Sequence, residues 1–260
     1  MNKKFLNHAK IVHAEGITTT IARQEIGKWL EKFEEFMNLF LKLNYFFKTD
    51  YPASNEHPDD WFFSFAYEKY LEAPYSLHVC NSLMERGYYL NAMIQLRSLL
   101  DYFVSCRYFH RHLQHIIPYR SGRKCLIDGK EKWLGPSEIY GFFSKDFYNH
   151  YYGDMLSSIS HGKLGPAIYR FDRSNPLEER VIMMPEFNLR YAFSIINHLV
   201  PIVYGYLSHR LEFFNSRLKE LPRELEREIS EAVQWLKAQH EKQERNDWIE
   251  GINHIIGIAT

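Results

Sequence analysis

The chain has 260 residues, of which 45% are hydrophobic, enough for a sizeable core and too apolar for a chain disordered throughout. Lys plus Arg and Asp plus Glu each total 32, which excludes a global basic field acting on nucleic acid or anionic membrane. Any nucleic-acid site must therefore be a local patch.

From Thr20 to Phe47 the residues Ile26, Trp29, Leu30, Phe33, Phe36, Met37, Phe40 and Leu43 recur at three and four, the signature of an amphipathic helix. Pro52, Asn55 and Pro58 mark a loop over Thr49–Asp60, and Asp59 or Asp60 is placed to cap a helix beginning near Trp61. Pro74 is expected to restart that helix as a separate segment reaching Arg86, with Gly87 as its C-terminal stop.

Tyr88 to His115 reads as the central helix of a bundle. Its polar residues Asn91, Gln95, Ser98, Tyr102 and Ser105 form one stripe. At 100° per residue, Arg97 and Asp101 lie roughly 120° and 80° from the middle of that stripe, so both are expected to face packed neighbours. Asp128-Gly129, between Cys125–Ile127 and Lys130–Trp133, is a hairpin signal. Helices are expected near Ser137–Phe143 and Lys145–His161, ended by Gly162 and Gly165-Pro166, with a second small hairpin at Ala167–Phe171 and Arg180–Met184. Phe187–Glu220 reads as a long helix kinked at Pro201. After Leu221-Pro222, Arg223–Glu244 reads as a charged helix with one apolar stripe.

No repeat or low-complexity linker interrupts the pattern. The reading is an all-α, single-domain helical bundle with one or two small β-hairpins: a core over about 60–215, and peripheral helices at 1–50 and 222–260. Cys80, Cys106 and Cys125 form no C-x-x-C pair, and Met1–Lys10 lacks the apolar core of a secretion signal. The expectation is a cytoplasmic protein with reduced thiols. The apolar stretch Tyr191–Leu207 is too short to span a bilayer, so no membrane partner is expected.

Two helix-spaced pairs carry the chemistry. Arg97 and Asp101, four apart, either present an oriented guanidinium to an anion such as phosphate or form an ion pair that fixes helix packing. Ser157 and His161 are also one turn apart. Either the hydroxyl orients an imidazole that transfers protons, or His161 closes a helix C-terminus. Arg107-Tyr108-Phe109-His110-Arg111-His112, with His115, reads as metal ligands at His112 and His115 or as a solvated basic helix end, and no Cys or carboxylate supports the metal. Walker, G-x-G-x-x-G, G-x-S-x-G and H-E-x-x-H motifs are absent, as is any Glu-x-x-His of a di-iron bundle.

The run Leu83-Met84-Glu85-Arg86-Gly87-Tyr88-Tyr89-Leu90-Asn91-Ala92, then Gln95-Leu96-Arg97-Ser98-Leu99-Leu100-Asp101, resembles uncharacterised bacterial helical families with an Arg-Ser-Leu-x-Glu helix. Tyr152, Ser157 and His161 resemble their later Tyr…Ser-x-x-x-His segment. Asp101 stands where Glu is usual. A looser similarity is to the HEPN superfamily of helical ribonucleases and toxin-associated domains, whose spaced Arg and His map onto Arg107 and His112, with Tyr108 where a polar residue is usual.

Together these readings lead to an expected pocket for an anionic ligand or RNA. Arg97, Asp101, Ser157 and His161 would be its catalytic group, with Tyr152, Arg107 and His112 as ligand-binding residues, and with no metal or cofactor. The resemblance to HEPN proteins implies metal-independent ribonuclease chemistry. The alternative is a non-enzymatic interaction module that forms a homodimer through the charged terminal helix.

Overall fold

A computed structural model describes residues 8–47, 58–143, 184–215 and 221–245, together with residues 145 and 149 and the short strands at 171–172 and 180–181. Its helices are α1 (His8–Phe47), α2 (Pro58–Glu85), α3 (Tyr89–Arg111), α4 (Ile116–Arg120), α5 (Pro136–Gly141), α6 (Leu189–Asn215) and α7 (Arg223–Arg245). A single 3-10 turn, Leu113–His115, joins α3 to α4. Strands β1 (Cys125–Ile127) and β2 (Lys130–Lys132) pair antiparallel, as do β3 (Phe171–Asp172) and β4 (Arg180–Val181). The all-α bundle with small hairpins is the architecture expected from the sequence.

α2 lies between α1 and α3, α3 packs on α6, and α6 packs on α7, which with α1 closes the bundle. One buried cluster runs through all five long helices and includes Phe33, Phe40, Tyr70, Leu96, Phe109, Leu199, Tyr206 and Leu236. Each large side chain buried in this way contributes about 1.5–3 kcal/mol. α1, placed at the periphery by its sequence position, supplies Ile26, Leu30, Phe33, Phe36 and Phe40 to that cluster.

α1 starts at His8, twelve residues before the expected Thr20. Its first turns bury Ala14, Thr18 and Ala22 at four-residue spacing, small side chains that barely register as apolar periodicity. Thr18 Oγ1 donates to the Pro185 carbonyl at 3.2 Å, tying this end to the segment before α6. The backbone leaves helical geometry at Ile26, beside Gly27, where helix propensity is poorest.

Pro74 does not restart α2; the helix runs through it. Tyr70, Ala73 and Leu77 are buried on either side of the proline, and this packing offsets the lost backbone hydrogen bond. α6 likewise runs through Pro201. Gly87 does end α2, at φ +82°. Its N–H donates to the Met84 carbonyl at 3.1 Å and that of Tyr88 to Leu83 at 2.8 Å, a Schellman closure. A Cβ on Gly87 would stand 2.7 Å from the Glu186 carbonyl oxygen, so the closure also lets the entry to α6 pack close. Asn188 then caps α6, its Oδ1 accepting from the Tyr191 N–H at 3.2 Å.

α3 stops at Arg111, short of the expected His115, because His112 turns out of helical geometry (φ −132°, ψ 58°). Asp128 and Gly129 adopt φ 53° and 72°, the left-handed pair of a type I′ turn, and join β1 to β2 as the Asp-Gly signal predicts. Among the described residues no helix is long and apolar enough to cross a membrane.

Candidate functional site

Arg97 and Asp101 share one face of α3 and meet as an ion pair, Arg97 Nε to Asp101 Oδ2, at 3.4 Å. The arginine side chain is 17% exposed and the aspartate 40%, so the guanidinium faces packed neighbours as expected while the carboxylate lies nearer the surface. The other oxygen of Asp101 accepts a hydrogen bond from the Tyr140 hydroxyl of α5. α5 is short but well anchored: Pro136 occupies its first turn, the Gly135 N–H donates to Glu138 at 3.2 Å, and Ile139 and Tyr140 are buried. Tyr140 thus locks the carboxylate that orients Arg97. Its distance of 39 residues from Asp101 hid it from any spacing rule.

A polar row shared by α2 and α3 lies beside this group. The Lys69 ammonium sits 4.9 Å from the centre of the Tyr102 ring and 3.7 Å from Glu72. Tyr102 hydrogen-bonds Glu72 and Ser76, and its phenol is pushed up to about 12, first by burial and then by Glu72. Asp101 adds to the same shift, which makes the Lys69–Glu72–Tyr102 row and the Arg97–Asp101–Tyr140 group electrostatic neighbours.

The Arg/His-rich end of α3 divides between different neighbours. The charge of Arg107 acts on His209 of α6. The His112 ring lies 4.7 Å from that of Tyr108 and 5.3 Å from that of Phe142. Burial and then His115 lower its pKa. His112 is half-buried against these rings, while Arg111 beside it at the end of α3 is exposed. His115 is buried and clasps the hairpin: Nε2 donates to the Leu126 carbonyl at 3.1 Å, and Nδ1 pairs with the Tyr108 hydroxyl at 2.8 Å.

A buried relay that the sequence did not disclose links three helices. The Tyr70 hydroxyl lies 2.7 Å from His209 Nδ1, and His209 Nε2 lies 3.0 Å from His110 Nδ1. His110 stacks on Phe62 at 5.2 Å and 6°. Burial, followed by Arg107, His110 and Arg111, pushes the His209 imidazole down to about 2, so the ring stays neutral in the fold.

Tyr152, Ser157 and His161 lie outside the described residues. Among the described residues no group of three or more His, Cys, Asp or Glu is placed to hold a metal ion. The three cysteines are buried and unpaired with one another, and burial raises the Cys80 thiol to about 12 and that of Cys106 further, which suits packing rather than reaction. A separate groove of about 630 Å³ lies between the start of α1 and the segment entering α6, lined by Ile17, Ile21, Met184 and Leu189. No protein-family model, curated protein or solved structure matches the chain.

Proposed function

We propose that the Arg97 group recognises an anionic ligand, RNA being the substrate class, and supports HEPN-like metal-independent ribonuclease chemistry. The observation that carries this reading is the three-part anchorage: Tyr140 fixes Asp101, and Asp101 fixes the guanidinium through Nε. A planar fork held in one orientation matches two oxygens of a phosphate and neutralises charge that builds on them during transfer. In this reading Arg97 holds the phosphate and His161 moves the proton, with Ser157, four residues earlier in the sequence, as the group that orients its ring.

Purified protein and a His161→Ala variant, incubated with a mixed RNA panel in EDTA, test the proposal. Cleavage by the wild type and none by the folded variant is the expected result. Equal cleavage by both removes His161 from the mechanism, and no cleavage by either removes the nuclease reading.

A further inference from the structure

The groove between the start of α1 and the entry to α6 leaves large apolar side chains in solvent: Ile17 is 50%, Ile21 37%, Met184 39% and Leu189 43% exposed. Its two walls are tied together and to the core. Thr18 Oγ1 donates to the Pro185 carbonyl, and the Asn188 N–H donates to the Tyr89 hydroxyl at 2.7 Å. A fixed apolar trough in water is a docking site, and clustered exposure of this kind marks a surface that another segment covers.

α7 runs toward this groove along α1. Lys42 meets Glu228 at 2.6 Å, and further along α7 Trp235 lies 5.4 Å from the Trp29 ring and 5.7 Å from that of Phe36. Contacts that retreat along α1 as α7 advances make the two helices antiparallel. At equal rise, Arg245 at the end of α7 comes level with about residue 23 of α1, within a turn of Ile21. The face of α1 is shared as well. Lys32, Glu35, Phe36 and Leu39 line the cleft against α7, and Ala14, Ile17, Thr18 and Ile21 of the groove each stand five full turns of helix before them. The buried row Ala14, Thr18, Ala22, Ile26, Leu30 and Phe33 keeps its spacing through the bend at Ile26, so the face continues across it. α7 also follows α6 after residues 216–222 and packs on it, which turns it back toward Leu189 at the α6 entry.

The residues that follow Arg245 suit the groove in composition and in register. Residues 246–260 lie beyond the described residues, and their sequence sets Trp248, Ile249, Ile252, Ile255 and Ile256 at helical spacing. Carried on at the same register, the polar run 240–247 meets the exposed Gln24, Glu25 and Lys28 of α1, and the apolar run meets Ile21, Ile17 and Ala14. We infer that residues 248–256 of this chain dock in the α1–α6 groove as an amphipathic segment, with Ile252 seated beside Ile17. This is the helix-in-groove mode of peptide recognition, made within one chain. It is independent of what Arg97 binds.

Disulfide trapping in the full chain tests it, since Cys80, Cys106 and Cys125 are buried and slow to react. Ile17→Cys with Ile252→Cys pairs two positions that the register sets level. Val12→Cys with Ile252→Cys is the control, because Val12 is exposed but turned about 140° from Ile17 around α1. Under mild oxidation the first pair is expected to close about tenfold faster than the second, as a disulfide within one chain. Equal rates for the two pairs would overturn the inference. A disulfide joining two chains, seen at doubled mass on a non-reducing gel, would give the groove to a second copy and overturn it as well. Ile252→Asp supplies a readout without new thiols: amide exchange over residues 14–21 and 184–190 should quicken severalfold beside the wild type. Unchanged exchange there would show that the segment does not cover the groove.

Discussion

At the scale of single residues, the functional reading turns on how firmly Arg97 is held. Tyr140→Phe removes one hydrogen bond to a partly exposed carboxylate and is expected to cost about 1 kcal/mol of stability. If Tyr140 positions Asp101 for Arg97, the same variant should lower RNA cleavage well beyond what that small loss explains, as single-turnover rates on folded protein would show. His209 gives a second test. Its ordinary pKa is 6.5 and its folded value is pushed down to about 2, so both states carry a neutral ring above pH 6.5. As pH falls below 6.5 the unfolded chain takes up a proton that the folded chain refuses, and stability is lost progressively toward pH 2. The slope from this one ring reaches about 1.4 kcal/mol per pH unit, and the lowered His112 adds to it with the same sign. Urea midpoints measured between pH 7 and pH 5 should fall, and should fall less steeply in His209→Gln. Parallel slopes in the two proteins would refute the buried neutral ring.

At the scale of elements, two junctions decide the packing around the site. The α2–α3 turn needs a residue at φ +82° with no side chain facing the Glu186 carbonyl. Gly87→Ala therefore combines left-handed strain with a backbone clash and is expected to cost at least about 2 kcal/mol, seen calorimetrically as a fall in Tm of roughly 5 °C. His115 joins the end of α3 to the hairpin through Tyr108 and Leu126. His115→Ala leaves those groups without their partner and opens a small void, a loss of about 2–4 kcal/mol. Amide exchange should rise first in residues 125–132, and exchange that rises evenly over the molecule would show that the hairpin is not latched there.

At the scale of the whole molecule, the helices with large apolar residues were legible in the sequence because Phe, Leu and Trp at three and four leave one packing solution. The first turns of α1 were not, since Ala14, Thr18 and Ala22 bury a face by being small. Pro74 misled because the sequence shows the lost hydrogen bond and hides the packing of Tyr70, Ala73 and Leu77 that offsets it. In the site, Arg97 and Asp101 were legible through their spacing along one helix. Tyr140, the Tyr70–His209–His110 relay and the His115 clasp join residues on different elements, and only the tertiary fold brings them together. The terminal helix α7 packs on α6 and α1, burying Leu225, Ile229 and Leu236, with Trp235 5.4 Å from Trp29. The central claim is that a guanidinium anchored in this bundle handles RNA phosphate, and the most direct measurement is the cleavage rate in EDTA of the wild type beside Arg97→Lys and Arg97→Ala. Lysine keeps the charge and loses the fork, so the expected order is wild type, then a weakened lysine variant, then a silent alanine variant, all three folded. Cleavage by Arg97→Ala at the wild-type rate would contradict the account.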